Sequence, residues 1–319
     1  MRILLPLLLI GLASCATTPQ GEAVARPSVV HLRFDWSPGD EAKVRAYRMA
    51  TDVSPRGRFV DEARMNYRLR VEREGEAIHL RWDAPAVETL PERWIPRTVE
   101  MVALELGQAD FVVSSVGNFV GLTAPLEAQS RVAAWAVETI PRSPPPPGVH
   151  NRLVELFAED ALAKRTADFW VGLVDVWNGG AMELGASYSA RDEIRVGGLG
   201  GIPVRMDVRI AAREWVACRP GDAEASCVRL ELWAEPAEEQ RPLLMEFTSK
   251  FFTSDPDREL VIEHAIEVIA EPSGLRPHAM RARERVEIPL AGGETILIAD
   301  ERRLEFDWRP AAALEPRED

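Results

Sequence analysis

The sequence predicts a mainly β protein of the α+β class, in which antiparallel amphipathic sheets are joined by two or three central helices. Three observations carry this prediction. Several segments alternate apolar and polar residues, turn-forming residues separate these segments, and helical spacing of apolar residues is confined to the middle of the chain. Because alternation with charged residues is typical of a sheet with one solvent-exposed side, the strands are expected to be antiparallel.

The clearest alternation predicts a β-hairpin in the first half of the chain. Apolar residues occupy every second position over 65–71 and again over 78–82, and Gly75 lies in the turn between them. The second half repeats this style. Alternating segments are expected as strands over 204–210, 228–232, 285–288 and 303–308.

Helices are expected only between these two β-rich regions. The apolar spacing predicts one helix over 125–139, a second capped by Asn151 and a third capped by Thr166 that runs to Trp177. The proline-rich residues 141–148 are incompatible with helix and sheet, and predict a short extended spacer.

The two β-rich regions share a layout, which suggests two related lobes. Each contains a long strand, a turn and a return strand. The return strand ends in the pattern Trp-x-x-Pro, at 82–85 and 233–236. A strand–turn–strand segment follows in both, over 111–122 and 260–280. Coincidence among amphipathic hairpins is the alternative. This layout resembles that of uncharacterised two-lobed β-rich periplasmic lipoproteins, and also that of curved-sheet-over-helix carriers of lipoprotein sorting; no functional residue is transferred from either.

The first residues have the features of a secretory signal. A basic residue, Arg2, precedes an apolar run over 3–12 that Pro6 interrupts, and small residues follow it. The run is shorter than the roughly 20 residues that span a bilayer. A removed signal is therefore expected rather than a membrane-spanning anchor.

The residues 12–15, Leu-Ala-Ser-Cys, resemble the lipobox of bacterial lipoproteins. The resemblance implies that the Cys15 thiol carries a diacylglyceryl group, that the signal 1–14 is cut away, and that the new amine is acylated, with palmitate as a typical acyl chain. Several acyl chains anchor a protein stably, whereas one does not. Ala16 stands where an aspartate favours inner-membrane retention in similar proteins, so the resemblance implies the outer membrane, facing the periplasm. An ordinary signal cut after Ala16, which discards Cys15, is the alternative.

These patterns divide the chain into segments. After the signal, a lipidated cysteine and flexible tether are expected over 15–27. The segments that follow are a β-rich lobe with a terminal helix (28–140), the spacer (141–148), a helical segment (149–180), a second β-rich lobe (181–309) and a disordered tail (310–319).

Charge and cysteine content restrict the partners. The formal net charge of −13 argues against nucleic acid, and against electrostatic binding to an anionic membrane surface. Cys218 and Cys227 flank the turn 219–222 and predict a disulfide that staples a hairpin; free thiols are the alternative. A metal site would need further ligands, and no histidine lies near this pair in the sequence. Neither a metal nor a cofactor is expected.

No catalytic set is recognisable in the sequence. The five histidines form no metal-ligand pair, and the GxSxG nucleophile elbow is absent. The glycine-rich residues 197–201 lack the lysine of a phosphate-binding loop and predict a connection between strands. Among the nine tryptophans, Trp135, Trp170 and Trp177 are candidates to line a cavity for an apolar ligand, and core packing alone is the alternative.

Three functions are compatible with these observations. The favoured one is a non-enzymatic envelope lipoprotein, held on the membrane through Cys15, that binds an apolar ligand or another envelope protein. A structural or assembly role in the envelope comes second. A carboxylate-dependent hydrolase acting on a cell-wall or glycan substrate comes third, and would need two carboxylates that face each other across a cleft.

Overall fold

The computed structural model describes residues 26–83, 85–91, 96–139, 149–252, 254–255 and 257–309. Five predicted features lie outside these residues: the signal 1–14, the lipidated Cys15, most of its tether, the spacer 141–148 and the tail 310–319.

Strands make up about half of the described chain, as the alternating segments predict. They are β1 (Val29–His31), β2 (Glu41–Ser54), β3 (Gly57–Glu74), β4 (Ala77–Trp82), β5 (Ala86–Thr89), β6 (Phe111–Val113), β7 (Phe119–Leu122), β8 (Ala181–Glu183), β9 (Ser187–Val196), β10 (Ile202–Val216), β11 (Cys227–Pro236), β12 (Val261–Glu271), β13 (Arg276–Pro289) and β14 (Thr295–Arg309). The helices are α1 (Pro96–Leu106), α2 (Pro125–Thr139), α3 (Val149–Leu156), α4 (Glu159–Leu173) and α5 (Arg241–Phe252). The predicted α+β class, with antiparallel sheets, is confirmed.

Twelve strands form one antiparallel sheet in the order β7-β6-β4-β3-β2-β14-β13-β12-β11-β10-β9, with β5 beside β3. A separate two-stranded sheet pairs β1 with β8. The long pairing of β2 with β14, from Val53 opposite Leu297 to Glu41 opposite Arg309, joins the two regions that the sequence divides into lobes. Residues of both regions therefore share one continuous sheet.

One face of the large sheet, called the inner face below, carries the core. The alternation predicted over 65–71 and 78–82 places their apolar side chains on this face, where they are buried. Helix α1 packs against β2 and β3, and α4 crosses to the other half, where Gly172 approaches Ile266 and Met280. The buried apolar side chains of both regions form one connected cluster.

The tryptophans of the two Trp-x-x-Pro patterns do not occupy equivalent positions in the structure. Trp82 is buried on the inner face, whereas Trp233 is 40 % exposed between the buried Leu232 and Ala234. The two tryptophans therefore point to opposite faces of the sheet. The proposed duplication of the lobes stays a prediction.

The helical predictions need three corrections. Helix α2 has the predicted bounds, but α3 begins before Asn151, and Thr166 lies inside α4 instead of capping a third helix. The Thr166 hydroxyl donates a hydrogen bond to the Leu162 carbonyl, 2.9 Å away, which is a common use of threonine inside a helix. Helix α4 ends at Leu173, and a short 3-10 turn at Asp175–Trp177 follows.

The expectation that helices are confined to the middle of the chain is wrong. Helices α1 and α5 lie inside the segments assigned to the two β-rich lobes. In α1, Val99, Val102, Ala103 and Leu106 are buried at helical spacing, so the signal was present but short. Helix α5 is harder to recognise because apolar side chains occupy more than one of its faces.

Candidate functional site

The candidate cavity tryptophans pack into the core. The ring centroid of Trp170 lies 5.4 Å from those of Trp36 and Phe111, and its indole Nε1 donates a hydrogen bond to the Gly117 carbonyl. Trp177 is equally buried, and its Nε1 donates to the Gly172 carbonyl at 3.0 Å. Trp135, on α2, is also buried. These contacts place Trp170 and Trp177 among protein atoms, as core packing predicts.

The predicted disulfide is present. Cys218 and Cys227 are joined by an S–S bond of 2.02 Å between the end of β10 and the start of β11. No histidine lies near this pair in the sequence, but the fold brings one close in space. A ring nitrogen of His278, on β13, lies within 4.8 Å of both sulfur atoms.

The strands give the large sheet two distinct ends. β10 finishes and β11 starts beside the disulfide, and there Trp215 donates its Nε1 to the Pro27 carbonyl at 3.2 Å. This is the disulfide end, where the described chain begins. At the other end, called the α5 end, β11 finishes at Pro236 and α5 leads into β12. The ten residues of β11 separate the two ends by about 30 Å.

An apolar groove runs beside helix α5. Leu244 of α5 is buried, Met245 is half-buried, and Pro236 and Leu260 complete the apolar part of the lining. The groove has a volume of about 260 Å³, and the charged side chains of 241 and 257–259 form its rim. We call it the α5 groove.

The two guanidinium groups on the rim of the α5 groove have partners within the chain. The Arg241 guanidinium contacts the carboxylates of Glu238, at 3.4 Å, and of Glu259. Arg258 donates from Nη1 to the Gly293 carbonyl at 3.0 Å. Because both guanidinium groups are already paired, the apolar lining is the part of the groove that is left to contact a ligand.

A stripe of three apolar side chains, two exposed and one half-buried, lies on α5 outside the groove. Leu243, Phe247 and Phe251 recur every four residues and so share one helix face. Leu243 is 59 % exposed and Phe251 is 68 % exposed, while the Phe247 and Phe251 rings pack at 4.9 Å. We call this the α5 stripe. The sequence analysis missed it, although the spacing of its three residues was a readable signal.

A buried cluster of charges interrupts the apolar inner face. Glu105 of α1 is 1 % exposed and contacts Arg48 of β2, at 3.3 Å, and Arg302 of β14, at 2.9 Å. Arg48 also contacts Asp300 at 3.1 Å, and the Tyr67 hydroxyl donates to the Glu105 backbone carbonyl at 2.9 Å. These side chains tie α1 to three strands of the sheet.

Burial and charge change the acidity of these groups together. Burial opposes the charge of Arg48, but Asp300 and Glu105 raise its pKa above the ordinary value. Burial, and then the charge of Glu105, raise the pKa of Tyr67 well above that of an exposed tyrosine. Burial lowers the pKa of Arg165, on α4, to about 10, and the positive charges of Arg48 and Arg302 contribute.

A second polar pair lies beside this cluster on the inner face. His264 of β12 is directly opposite Glu284 of β13, whose carboxylate accepts hydrogen bonds from the Gly197 and Gly198 backbone amides at 3.1 and 2.7 Å. Burial raises the pKa of Glu284 and lowers that of His264. The glycine-rich segment does connect β9 to β10, as predicted, and its amides bind a carboxylate of the same chain.

Comparison with known proteins assigns no family to this chain. No protein-family model matches it, and no curated protein matches it. It is similar to a solved structure that describes lipid–protein interactions in lipovitellin, with 9 % sequence identity and a TM-score of 0.44. The likeness covers 88 % of this chain and 26 % of that one, so this chain spans about a quarter of its length. A likeness this distant carries no functional information.

Helices that could cross a bilayer are also absent from the described part of the chain. None of the helices described above has both the length and the apolar character that a membrane span requires.

Proposed function

We propose that this protein is a lipid-anchored envelope protein whose folded part binds an uncharged apolar ligand in the α5 groove. The observation that carries the proposal is the groove itself. Pro236, Leu244, Met245 and Leu260 supply an apolar lining that is open at the surface, at the end of the sheet. Small-molecule sites are typically concave and mostly apolar in this way.

The charge pattern defines the chemical class of the ligand. Arg241 is already paired with Glu238 and Glu259, so an anionic head group would have to compete with two carboxylates of the chain. An uncharged chain or ring needs no such exchange, since its burial is driven by the apolar area that it removes from water. We therefore infer a neutral apolar ligand.

The membrane anchor in this proposal is Cys15. The apolar run before it and its lipobox-like surroundings support a lipid on this residue. Cys15 precedes Arg26 by eleven residues, which span at most about 40 Å when extended. Because residues 26–27 lie at the disulfide end, this tether would leave the α5 groove at the end of the domain farther from the anchor.

Binding of a fluorescent naphthylamine dye tests the groove. We expect the purified protein to bind about one equivalent of this neutral dye, and an uncharged long-chain alcohol to displace it. Met245→Glu places a charge in the groove and should weaken binding by at least about tenfold, or 1.4 kcal/mol. Val137→Glu on α2 is the matched control, since Val137 is 84 % exposed and outside the groove. Absence of saturable binding, or equal binding by the two variants, would contradict the proposal.

The anchor is tested separately. Cys15→Ser should move the protein from the membrane fraction to the soluble fraction and abolish labelling by a palmitate analogue. If the Ser variant stays labelled and membrane-bound, Cys15 is not the site of attachment.

The α5 stripe favours a second candidate function, docking of another envelope protein. Leu243 and Phe251 are exposed outside the groove, and exposed apolar patches commonly mark interaction surfaces. Phe251→Glu separates the two functions. If Phe251→Glu loses a co-purifying envelope protein and still binds the dye, docking is supported. If Met245→Glu loses dye binding and Phe251→Glu does not, ligand binding in the groove is supported.

A further inference from the structure

Three side chains with metal-binding atoms meet at the disulfide end. The sulfur atoms of Cys218 and Cys227 and a ring nitrogen of His278 all lie within 4.8 Å of one another. Cys227 is fully buried, and the His278 side chain is 7 % exposed. Thiolate and imidazole are the ligands that Zn²⁺ prefers in proteins.

The orientation of His278 is set by a carboxylate. Its Nε2 lies 2.8 Å from Oε1 of Glu271, within hydrogen-bonding distance. Because a carboxylate accepts hydrogen bonds, a neutral ring that donates from Nε2 has its lone pair on Nδ1. Nδ1 is buried and has no hydrogen-bond partner among the described residues.

This arrangement matches the outer shell of known zinc sites. A histidine that binds a metal through one nitrogen usually donates its other N–H to a carboxylate, which orients the ring and increases its basicity. Glu271 already holds His278 in this way. A buried ring nitrogen without a hydrogen-bond partner is otherwise an unfavourable feature, because buried polar atoms are normally paired.

We propose that reduction of the Cys218–Cys227 disulfide converts this cluster into a binding site for a thiophilic divalent ion such as Zn²⁺. The protein ligands would be the two thiolates and Nδ1 of His278. In the oxidised protein each sulfur is bonded to the other and offers no thiolate. The disulfide therefore controls whether the site exists.

The chemistry of this change balances with a dithiol as the reductant. The dithiol supplies two electrons and two protons to the S–S bond, which becomes two thiols, and is itself oxidised to a disulfide. Metal binding then releases one proton from each thiol. In an oxidising compartment the disulfide persists, so the site fills only where such a reductant acts.

A surface groove gives access to the cluster. It has a volume of about 540 Å³, and its lining includes Trp215, Ser226 and Glu271. The Ser226 hydroxyl oxygen lies 3.2 Å from the Cys218 sulfur, so the groove lies beside the disulfide. With three protein ligands, the fourth position of a tetrahedral ion would take a water molecule.

Cobalt titration of the reduced protein tests the proposal. The protein is reduced with a dithiol, freed of it without oxygen, and titrated with Co²⁺, whose thiolate complexes absorb strongly. We expect one equivalent of Co²⁺ to give the thiolate absorption, Zn²⁺ to displace it, and the oxidised protein to give none. His278→Gln and Glu271→Gln should weaken binding, the latter by about 10–100-fold. His79→Gln, on β4 outside the cluster, is the matched control and should bind as the unchanged protein does.

Two results would overturn the proposal. One is the absence of thiolate absorption in a reduced protein whose circular dichroism remains native. The other is unchanged affinity in Glu271→Gln, which decides the question even if the buried His278→Gln variant fails to fold. Neither result bears on the α5 groove, which lies at the other end of the sheet.

Discussion

Glu105 shows how single residues connect the helices to the sheet. Its carboxylate is 1 % exposed and lies between Arg48 and Arg302, which belong to two neighbouring strands. A buried charge is tolerated only when it is paired and hydrogen-bonded. Removing Glu105 therefore leaves Arg302 without this carboxylate, whereas Arg48 keeps its contact with Asp300.

At this scale we predict a large effect of Glu105→Gln. The substitution keeps the shape of the side chain but leaves Arg302 without its carboxylate partner, and should destabilise the fold by about 3 kcal/mol. Urea unfolding followed by circular dichroism measures this change. Glu305→Gln is the control, because the pair of Glu305 with Arg45 is exposed and should cost about 0.5 kcal/mol or less. Equal effects of the two changes would show that the buried cluster is not needed for stability.

At the scale of elements, the packing of α4 against the sheet depends on a glycine. A Cβ atom built on Gly172 would lie 2.6 Å from Cδ1 of Ile266 on β12. This close approach lets Trp170 and Trp177 on either side of Gly172 reach the core. A glycine inside a helix lowers its stability, so its presence here has a packing reason.

We predict that Gly172→Ala destabilises the protein by about 0–2 kcal/mol, because the clash with Cδ1 of Ile266 offsets the roughly 1 kcal/mol that alanine gains in a helix. Ile266→Val removes the contacting Cδ1 atom and should cost about 1 kcal/mol alone. The double variant should be more stable than the sum of the two single changes, as a double-mutant cycle of unfolding free energies would show. Val171→Ala, at an exposed neighbouring position, should change little. If the two changes in unfolding free energy simply add, the Cβ atom at 172 does not clash with the side chain at 266.

At the scale of the whole molecule, the pairing of β2 with β14 joins the two ends of the described chain. Strands β2 to β5, before α1, and β12 to β14, after α5, share one sheet, and both regions contribute to one buried cluster. Neither half retains all of its strand pairs without the other. Their stabilities should therefore be coupled.

We predict that the protein unfolds in one cooperative transition. Tryptophan fluorescence and circular dichroism should give coincident urea curves, and a fragment of residues 28–140 should not fold, since β2 would lose its pairing with β14. Two separate transitions, or a folded fragment, would indicate that the two β-rich regions are independent domains.

The strand faces and the disulfide were predictable because both depend on local patterns. Period-two alternation assigns each side chain of β3 and β4 to a face, whatever strand lies next to it. A turn between Cys218 and Cys227 places the two sulfur atoms close together. The signal-like first residues and Cys15 are also a local pattern, and they predict where the protein is located.

Tertiary structure alone decided which distant residues meet. Arg48 and Asp300 are 252 positions apart, and only the pairing of β2 with β14 makes them neighbours. The pairing partner of a strand depends on the whole topology, because many amphipathic strands would satisfy the same alternation. For the same reason the sequence indicated no ligand beside Cys218 and Cys227. His278 lies in another strand, and the fold brings one of its ring nitrogens within 4.8 Å of the sulfur atoms.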